Sequence, residues 1–567
     1  MERHAGKARG RVRTVGHLAP LPFVCCLLVG LYSLAPRPVF AQVPPGATTG
    51  GNEIENRRQL ERIEREQQRP TQQGPSVVGP SRGRQDILKP GGPKFLLRRI
   101  EFDNSKFLTK EELEPLAAPL NGRKVDFSDL QKLIAAINDL YAKKNIPTGI
   151  ATLPPQDVKG GVVKIKLTEG RLEKLSVTGA VQTRPDYILP RVQQPSGEVL
   201  DVPRLARDVT WFNRTSDPQI RALLQPGTSF GLTDVELATI EAPRNTLQFF
   251  TDNQGVKSTG RYQSGVYYKS SGALGFDDRF TFYGTTAQGN LNGSASYNVP
   301  VNYWGGRLGV SYTQGAIRIV DGPFRTLDVT GESQVGSLNF SQPVIVTDSW
   351  LVLVNAAQSL GKSDTWFSEN KITDDRTKKT TAGVSVTQSG TDYSITVSPA
   401  FNYVDSHSEV TDLNRYFNVY SAAANLLVRL PANFSFSATG SGQYTKERLL
   451  PGDQLFQIGG PTTIRGYPTN AVAGDSGYYV NYELHNNLTN VVKGLDIYTF
   501  IDMGEVFSTF PARTALHSVG FGLSYTPHAS VTFEGSVGVP WKQVVADQIP
   551  GYQIYFRGVF RPLLLVL

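Results

Sequence analysis

From about residue 244 onward, apolar side chains alternate with polar or very small ones, and no other feature restricts the fold of this chain as much. Leu308, Val310 and Tyr312 alternate with Arg307, Gly309 and Ser311, and Phe434 and Phe436 with Ser435 and Ser437. Val519, Phe521, Leu523 and Tyr525 alternate with Gly520, Gly522 and Ser524, and Val531, Phe533, Val537 and Val539 with Thr532, Glu534, Ser536 and Gly538. Successive side chains of a strand point to opposite faces, so the pattern predicts strands with one apolar and one wet face. A soluble β-sandwich meets that description, and so does a barrel with lipid outside and water inside. Within lipid only a closed sheet pairs all of its backbone groups. The region 244–567, with strands of about 10 residues joined by turns and a few long loops, allows roughly 14 to 18 of them.

The N-terminus favours the barrel. Arg3, Lys7, Arg9, Arg11 and Arg13 form a basic stretch, 18–35 is mostly apolar, and Val39, Phe40 and Ala41 offer a small-residue cleavage site before Gln42. Residues 1–41 therefore read as a secretory signal peptide, and Pro20, Pro22 and Pro36 argue against an uncleaved anchor. Cys25 and Cys26, the only cysteines, lie inside it, so neither disulfides nor thiol chemistry are expected of the mature chain. The segment carries six basic residues against Glu2, and its loss lowers the formal charge from +8 to +3. That excess is too small to argue for nucleic acid as a partner.

Residues 42–94 read as a helix over 53–68 followed by a flexible linker rich in Pro and Gly. The helix is rich in good helix formers, and Ile54, Leu60 and Ile63 are its only large apolar residues. So thin a stripe suits either a solvated helix or one that docks in a polar channel. Residues 95–170 predict a small α/β module: a strand over 95–102, a helix over 109–116, and a second helix opened by a capping box of Ser128 and Gln131. Leu130, Leu133, Ile134, Ile137 and Tyr141 form the apolar face of that second helix, and strands follow over 150–153 and 162–167. The order recurs over 171–243, with strands over 172–177, 219–224 and 233–240 and helices over 185–189 and 203–212. Neither module holds a metal-ligating cluster or a Gly-rich phosphate loop. His407, His485, His517 and His528 are scattered, so no enzyme, cofactor, metal or nucleotide site is expected.

Arg465 stands in a glycine-flanked loop with Gly459, Gly460, Ile464, Gly466 and Tyr467, and Asp502 follows between Phe500 and Gly504. These charges can be read as solvated, or as a charge-assisted, bidentate pair that holds the loop inside a barrel.

In their order and spacing these motifs resemble the outer-membrane transporters of two-partner secretion, the haemolysin secretion/activation family, over nearly all of the chain after residue 41. Residues 151–161, including Gln156 and Asp157, and 167–170, including Glu169 and Gly170, are similar to that family's first POTRA (polypeptide-transport-associated) domain. Residues 252–255 with Thr259 and Gly260 resemble its entry into the first barrel strand. Residues 459–467, the following 474–478 and 482–484, and Phe500, Asp502 and Gly504 resemble its long loop and the strands after it. Ile464 replaces the commoner Val of the motif. The last strand is expected over 553–560, and the tail 561–567 beyond its terminal aromatic departs from the family pattern.

The resemblance implies a sixteen-stranded antiparallel transmembrane β-barrel, two POTRA domains (95–170 and 171–243) in the periplasm, and an N-terminal helix that plugs the pore. It implies that Arg465 reaches Asp502 in the lumen as a latch. The function implied is translocation, with possible activation, of a large partner exoprotein of the haemolysin or adhesin type, recognised through its N-terminal secretion domain. Outer-membrane lipid, periplasmic chaperones and the barrel-assembly machinery are further expected partners. An assembly insertase and a diffusive porin are the alternative readings.

Overall fold

The structure, a computed structural model, describes residues 49–67, 76–79, 93–507, 513–542 and 551–562 of the 567. The expected leader with Cys25 and Cys26, most of the linker and the tail from 563 lie outside the described residues. Sixteen antiparallel strands close into a barrel, the first (Asn245–Asp252) pairing with the last (Gln553–Phe560). Leu308, Val310, Tyr312, Phe521, Leu523 and Phe533 are exposed on its outer wall, where lipid removes them from water. Among the described residues no helix is long and apolar enough to cross a membrane. The residues similar to an entry into the first strand stand at its exit: Asp252 ends that strand, and 253–262 turn into the second (Gln263–Ser271). Register decides this, because the strand has already begun at Asn245.

In the module at 95–170 a three-stranded sheet (Arg99–Phe102, Val162–Glu169, Gly149–Thr152) is covered by helices Lys110–Ala117 and Phe127–Lys143. Their core joins Leu97, Ile100, Leu113, Leu130, Leu133, Ile137, Tyr141, Val163 and Ile165. The expected strand over 95–102 is divided. Phe95–Leu96 pairs with Lys124–Val125, while Arg99–Phe102 pairs with Val162–Glu169. The second helix is capped by Asp126 and Asp129 rather than by Ser128 and Gln131. The Asp126 carboxylate accepts from the backbone N–H of Ser128 and Asp129 at 2.9 and 3.2 Å, two bonds where a serine hydroxyl more often holds one.

Residues 171–240 repeat the arrangement with strands Arg171–Thr178, Gln219–Pro226 and Leu232–Ile240 and helices Pro185–Ile188 and Val202–Thr215. A fourth strand, Val77–Val78, joins this sheet in parallel at its Gln219–Pro226 edge, from within the stretch expected to be linker. The module is fastened to the end of the barrel from which it enters. Trp211 Nε1 donates to the Trp304 carbonyl at 3.0 Å, Arg214 to the carbonyls of Thr347 and Asp348 at 2.9 and 2.6 Å, and Asp217 meets Arg279 at 2.7 Å.

Glu241, between this module and the barrel, accepts from the backbone N–H of Val181, Gln182 and Thr183 at 3.0, 2.8 and 2.7 Å. Burial alone would raise its pKa, but the hydrogen bonds from Thr183, Gln182 and Val181 outweigh it and hold the carboxyl below its usual range. The bonds are therefore intact at neutral pH and are lost as the pH falls through the depressed value. Glu241→Gln is expected to speed amide exchange at residues 181–183 on the order of tenfold at pH 7, the equivalent of one charge-assisted bond. Acidification of the parent protein should lower the protection of the same amides relative to their intrinsic exchange rate at each pH, and unchanged protection in both cases would refute the anchoring role.

Candidate functional site

Between the eleventh barrel strand (Phe434–Tyr444) and the twelfth (Ser476–Asn487) the chain makes a long excursion, residues 445–475, stiffened by its own small hairpin of Phe456–Ile458 and Val472–Gly474. Gly459 and Gly460 open its tip: the Gly459 N–H donates to Thr463 Oγ1 at 2.8 Å, and the Gly460 N–H to the Ile464 carbonyl at 3.1 Å. Ile464 and Tyr467 are fully buried against Tyr479, Val506 and Leu516 on the inner wall. Tyr467 Oη contacts the carbonyls of His517 and Lys542 at 3.1 and 2.8 Å, and Tyr555 Oη donates to the Tyr467 carbonyl at 2.6 Å. Gly466 has φ of 95°, and a Cβ there would stand 3.1 Å from the backbone of Gly538 and Pro540. At Gly504 a Cβ would meet Ile464 Cδ1 at 3.1 Å, so the bare backbone makes room for the loop.

Arg465 is at the centre of this contact. Its Nε and Nη2 donate to the two oxygens of Asp502 at 2.8 and 2.7 Å, and its backbone N–H donates to the same carboxylate at 2.9 Å. Nη1 donates to Glu483 Oε1 at 2.5 Å, and the guanidinium carbon lies 3.5 Å from the Phe500 ring centroid. Asp502 is fully buried and also accepts from Asn481 Nδ2 at 2.8 Å. The planar guanidinium fork fits a bidentate carboxylate and an aromatic face together, which a lysine could not do. The charges continue along the wall: His485 stands between Glu483, 3.1 Å from Nε2, and Asp496, 2.6 Å from Nδ1, and stacks on Tyr498.

The lumen also contains the N-terminal helix, Thr49–Gln67, which is helical from four residues before the expected 53–68, while residue 68 lies outside the described residues. Ile63 is fully buried with Phe250, Tyr267, Tyr283 and Val559, and Leu60 packs beside it, whereas Ile54 is half-buried outside that cluster. Polar contacts make up the rest of the docking. Gln59 Oε1 accepts from Gln263 Nε2 and Tyr283 Oη at 3.1 Å each, Thr285 donates to Asn56 at 3.0 Å, and Arg62 meets Glu534 at 2.7 Å. Thr462, three residues from Arg465, donates to Glu55 Oε2 at 2.9 Å, so helix and loop touch directly.

Glu169, Gly170, Gln156 and Asp157 lie outside the barrel, in the module at 95–170. Glu169 accepts from the Lys106 N–H at 2.9 Å and from Tyr141 Oη at 3.1 Å, holding the turn before the first helix. The Gln156 side chain pairs with both backbone groups of Lys164, at 2.7 and 2.8 Å, as an added strand residue would. Asp157 is exposed, and a Cβ on Gly170 would meet Thr233 Oγ1 of the next module at 2.5 Å. Sequence reasoning missed Asn481, Glu483, Glu55 and Gln59. Register was the missing information for the first two: Asn481 is opposite Asp502 and Glu483 opposite Phe500, so these four wall residues share the inner face, whereas Glu55 and Gln59 gain their partners only when the helix docks in the lumen.

A closed barrel of sixteen strands with a loop clamped in its lumen and α/β modules at the entry end defines an outer-membrane protein-transport barrel. The model of the haemolysin secretion/activation protein ShlB/FhaC/HecB family matches residues 231–525, more than half of the chain, and that of the ShlB-type POTRA domain matches 95–170. The chain belongs to this family. It is similar to the outer membrane transporter CdiB of Dickeya dadantii (24% identical over 414 residues, 70% of this chain and 73% of that protein). It is also similar to the heme/hemopexin transporter protein HuxB of Haemophilus influenzae (24% over 481 residues, 79% and 84%). In fold it matches the solved structure of CdiB from Escherichia coli, with a TM-score of 0.66 and 20% identity over 92% of this chain and 99% of that one. The chain is thus a two-partner secretion transporter, set in the outer membrane with its POTRA domain in the periplasm, and it moves a partner exoprotein across that membrane.

Removing Arg465 leaves the buried Asp502 carboxylate without a cation, at about 3–5 kcal/mol, while Glu483 keeps His485; removing Asp502 leaves Arg465 paired with Glu483. Arg465→Ala is therefore expected to lower stability in denaturant titration more than Asp502→Ala, and the double variant to show a coupling of about 1–3 kcal/mol. Strict additivity of the two single effects would contradict the clamp.

Proposed function

We propose that the loop carrying Arg465 is a latch and that the Thr49–Gln67 helix is a removable plug in one conduit. The observation that carries this reading is the joint occupation of the lumen by both elements, in contact through Glu55 and Thr462. In this reading the partner exoprotein arrives extended in the periplasm and is captured through its N-terminal secretion domain by the modules at 95–170 and 171–243, taken as two POTRA domains. Main-chain pairing at a sheet edge supplies affinity there, and side-chain slots supply selection. The plug then leaves, the latch moves, and the polar wall conducts the chain outward. Folding of the exoprotein outside supplies the free energy, consistent with the lack of a nucleotide motif in the sequence. Residues 1–41 act as the export signal, and periplasmic chaperones and the assembly machinery bring the barrel itself to lipid.

Arg465→Ala is expected to reduce export of a co-expressed partner exoprotein at least tenfold while the barrel keeps its heat-resistant migration on gels. Normal export by that variant would dismiss the latch. Deleting residues 49–67 should raise the conductance of the purified protein in planar bilayers several-fold. An unchanged large conductance would favour a diffusive porin instead.

A further inference from the structure

The outer wall of the barrel carries a bowl of about 890 Å³ for which passage through the lumen has no use. Its floor is a registered row of compact residues, with Pro399 opposite Ala422 and Ala422 opposite Gly442. The next outward row toward the extracellular side, Phe401, Tyr420 and Tyr444, stands over that floor as a rim, and Tyr478 and Phe507 close one end. These five aromatic residues are 36 to 56% exposed, as lipid-facing residues of a transmembrane strand are. The dent has a local cause. Pro399 stands mid-strand and brings no N–H, and the ladder to the neighbouring strand lapses between the pairs Gly383–Ala400 and Val386–Val397. At Gly442 the wall is only backbone deep, and a Cβ there would meet nothing closer than the Gly477 carbonyl at 3.4 Å. The space is therefore open, and its volume falls within the roughly 300–1,000 Å³ of small-molecule sites.

Donors and cations collect at one lip of the bowl. Tyr444, Ser476 and Phe507 are the ends of their strands on the side away from the two modules, so this lip is extracellular. The hydroxyls of Tyr420, Tyr444 and Tyr478 have no hydrogen-bond partner among the described residues. Lys446 and Arg448 follow Tyr444 and are exposed. The Arg513 guanidinium lies 5.1 Å from the Phe507 ring centroid and donates to Glu505 Oε2 at 2.8 Å. Two acids stand among these three cations, Glu447 and Glu505, and Glu505 is buried opposite Tyr478 with Arg513 already bonded to it. An apolar well with donors and cations on its outer lip is complementary to an acyl chain that ends in an acceptor-rich anionic head. Left unfilled, the same well would cost its lining the dispersion contacts that a chain supplies.

We propose that the bowl binds one phosphorylated glycolipid of the outer leaflet. An acyl chain lies over Pro399, Ala422 and Gly442, and a phosphate is held at Lys446 and Arg513. The position of the cations at the extracellular lip selects the lipid of that leaflet over a phospholipid of the periplasmic one. Tyr444 and Ser476 flank the excursion 445–475, so the bound lipid rests against both roots of the loop that carries Arg465.

The test fills the well. The full chain, purified in detergent, is titrated with bis-phosphorylated lipid A and read by native mass spectrometry. The parent is expected to retain one lipid A, and Gly442→Phe, which fills the well from a lipid-facing position, to bind it about tenfold more weakly or worse. Ala422→Phe is a second filling variant, and heat-resistant migration on gels shows which of the two barrels is folded. Equal affinity of the parent and a folded filling variant overturns the inference. Lipid A stripped of its phosphates is expected to bind the parent about tenfold more weakly than the phosphorylated form. That preference should vanish in the triple variant Lys446→Gln, Glu505→Gln, Arg513→Gln, which removes both cations together with the acid that Arg513 covers. A preference that survives the triple variant overturns the assignment of the head. Phosphatidylglycerol bound as tightly as lipid A would give the bowl to a phospholipid, and a protein dimer in place of a lipid adduct would give it to a second copy of the chain; either result overturns the inference.

Discussion

The arrangement of the lumen depends on the pairing of Arg465 with Asp502 and Glu483. A loop that turns back into a water-filled barrel gains no order from solvent, and side chains of the wall have to hold it. Three donors of Arg465 meet Asp502 and a fourth meets Glu483, so one residue joins the loop to two neighbouring strands, Ser476–Asn487 and Leu495–Phe507. Strand register and clamp depend on each other. A slip of one residue would turn Asp502 and Glu483 toward lipid and leave the guanidinium without a carboxylate.

The helix beneath the loop is held differently. A helix of 19 residues with three large apolar side chains is marginal alone in water, and in the lumen only Leu60 and Ile63 reach the aromatic cluster of Phe250, Tyr267 and Tyr283. Its other anchors are hydrogen bonds, an ion pair to Glu534 and the Arg58 guanidinium over the Phe456 and Tyr479 rings, polar contacts that water can replace at modest cost. Such docking suits an element that departs, whereas the clamp buries charge that cannot be separated cheaply. Both elements meet at Glu55 and Thr462, and the linker joins the helix to the second module's sheet edge.

Much of the barrel was legible because alternation has a single physical cause, opposite faces of a strand in two different solvents. Gly466 and Gly504 stood out as motif glycines, and both turn out to lie where loop and wall touch, Gly466 against Gly538 and Gly504 against Ile464. Glu483 was not legible as a second partner of Arg465, since an acid 18 residues away becomes a neighbour only when strand pairing is known. The edge strand at 77–78 was hidden for the opposite reason. Its Pro, Gly and Ser context has no strand pattern, and its pairing is induced by an edge that the rest of the chain leaves open. Asp126 displaced the expected Ser128 cap because its carboxylate accepts two backbone donors at once.

By itself, the sequence determined the periodicities: which stretches are strands with a lipid face, where the helical modules lie, and that Arg465 and Asp502 occupy segments able to meet. Periodicity is local, set by how successive side chains project from the backbone. Only the tertiary structure decided how sixteen strands close in register, which acids share the inner face with Arg465, and that a polar helix and a short linker strand occupy the lumen and a sheet edge. Those outcomes depend on long-range pairing, in which each contact is chosen by the geometry of the rest.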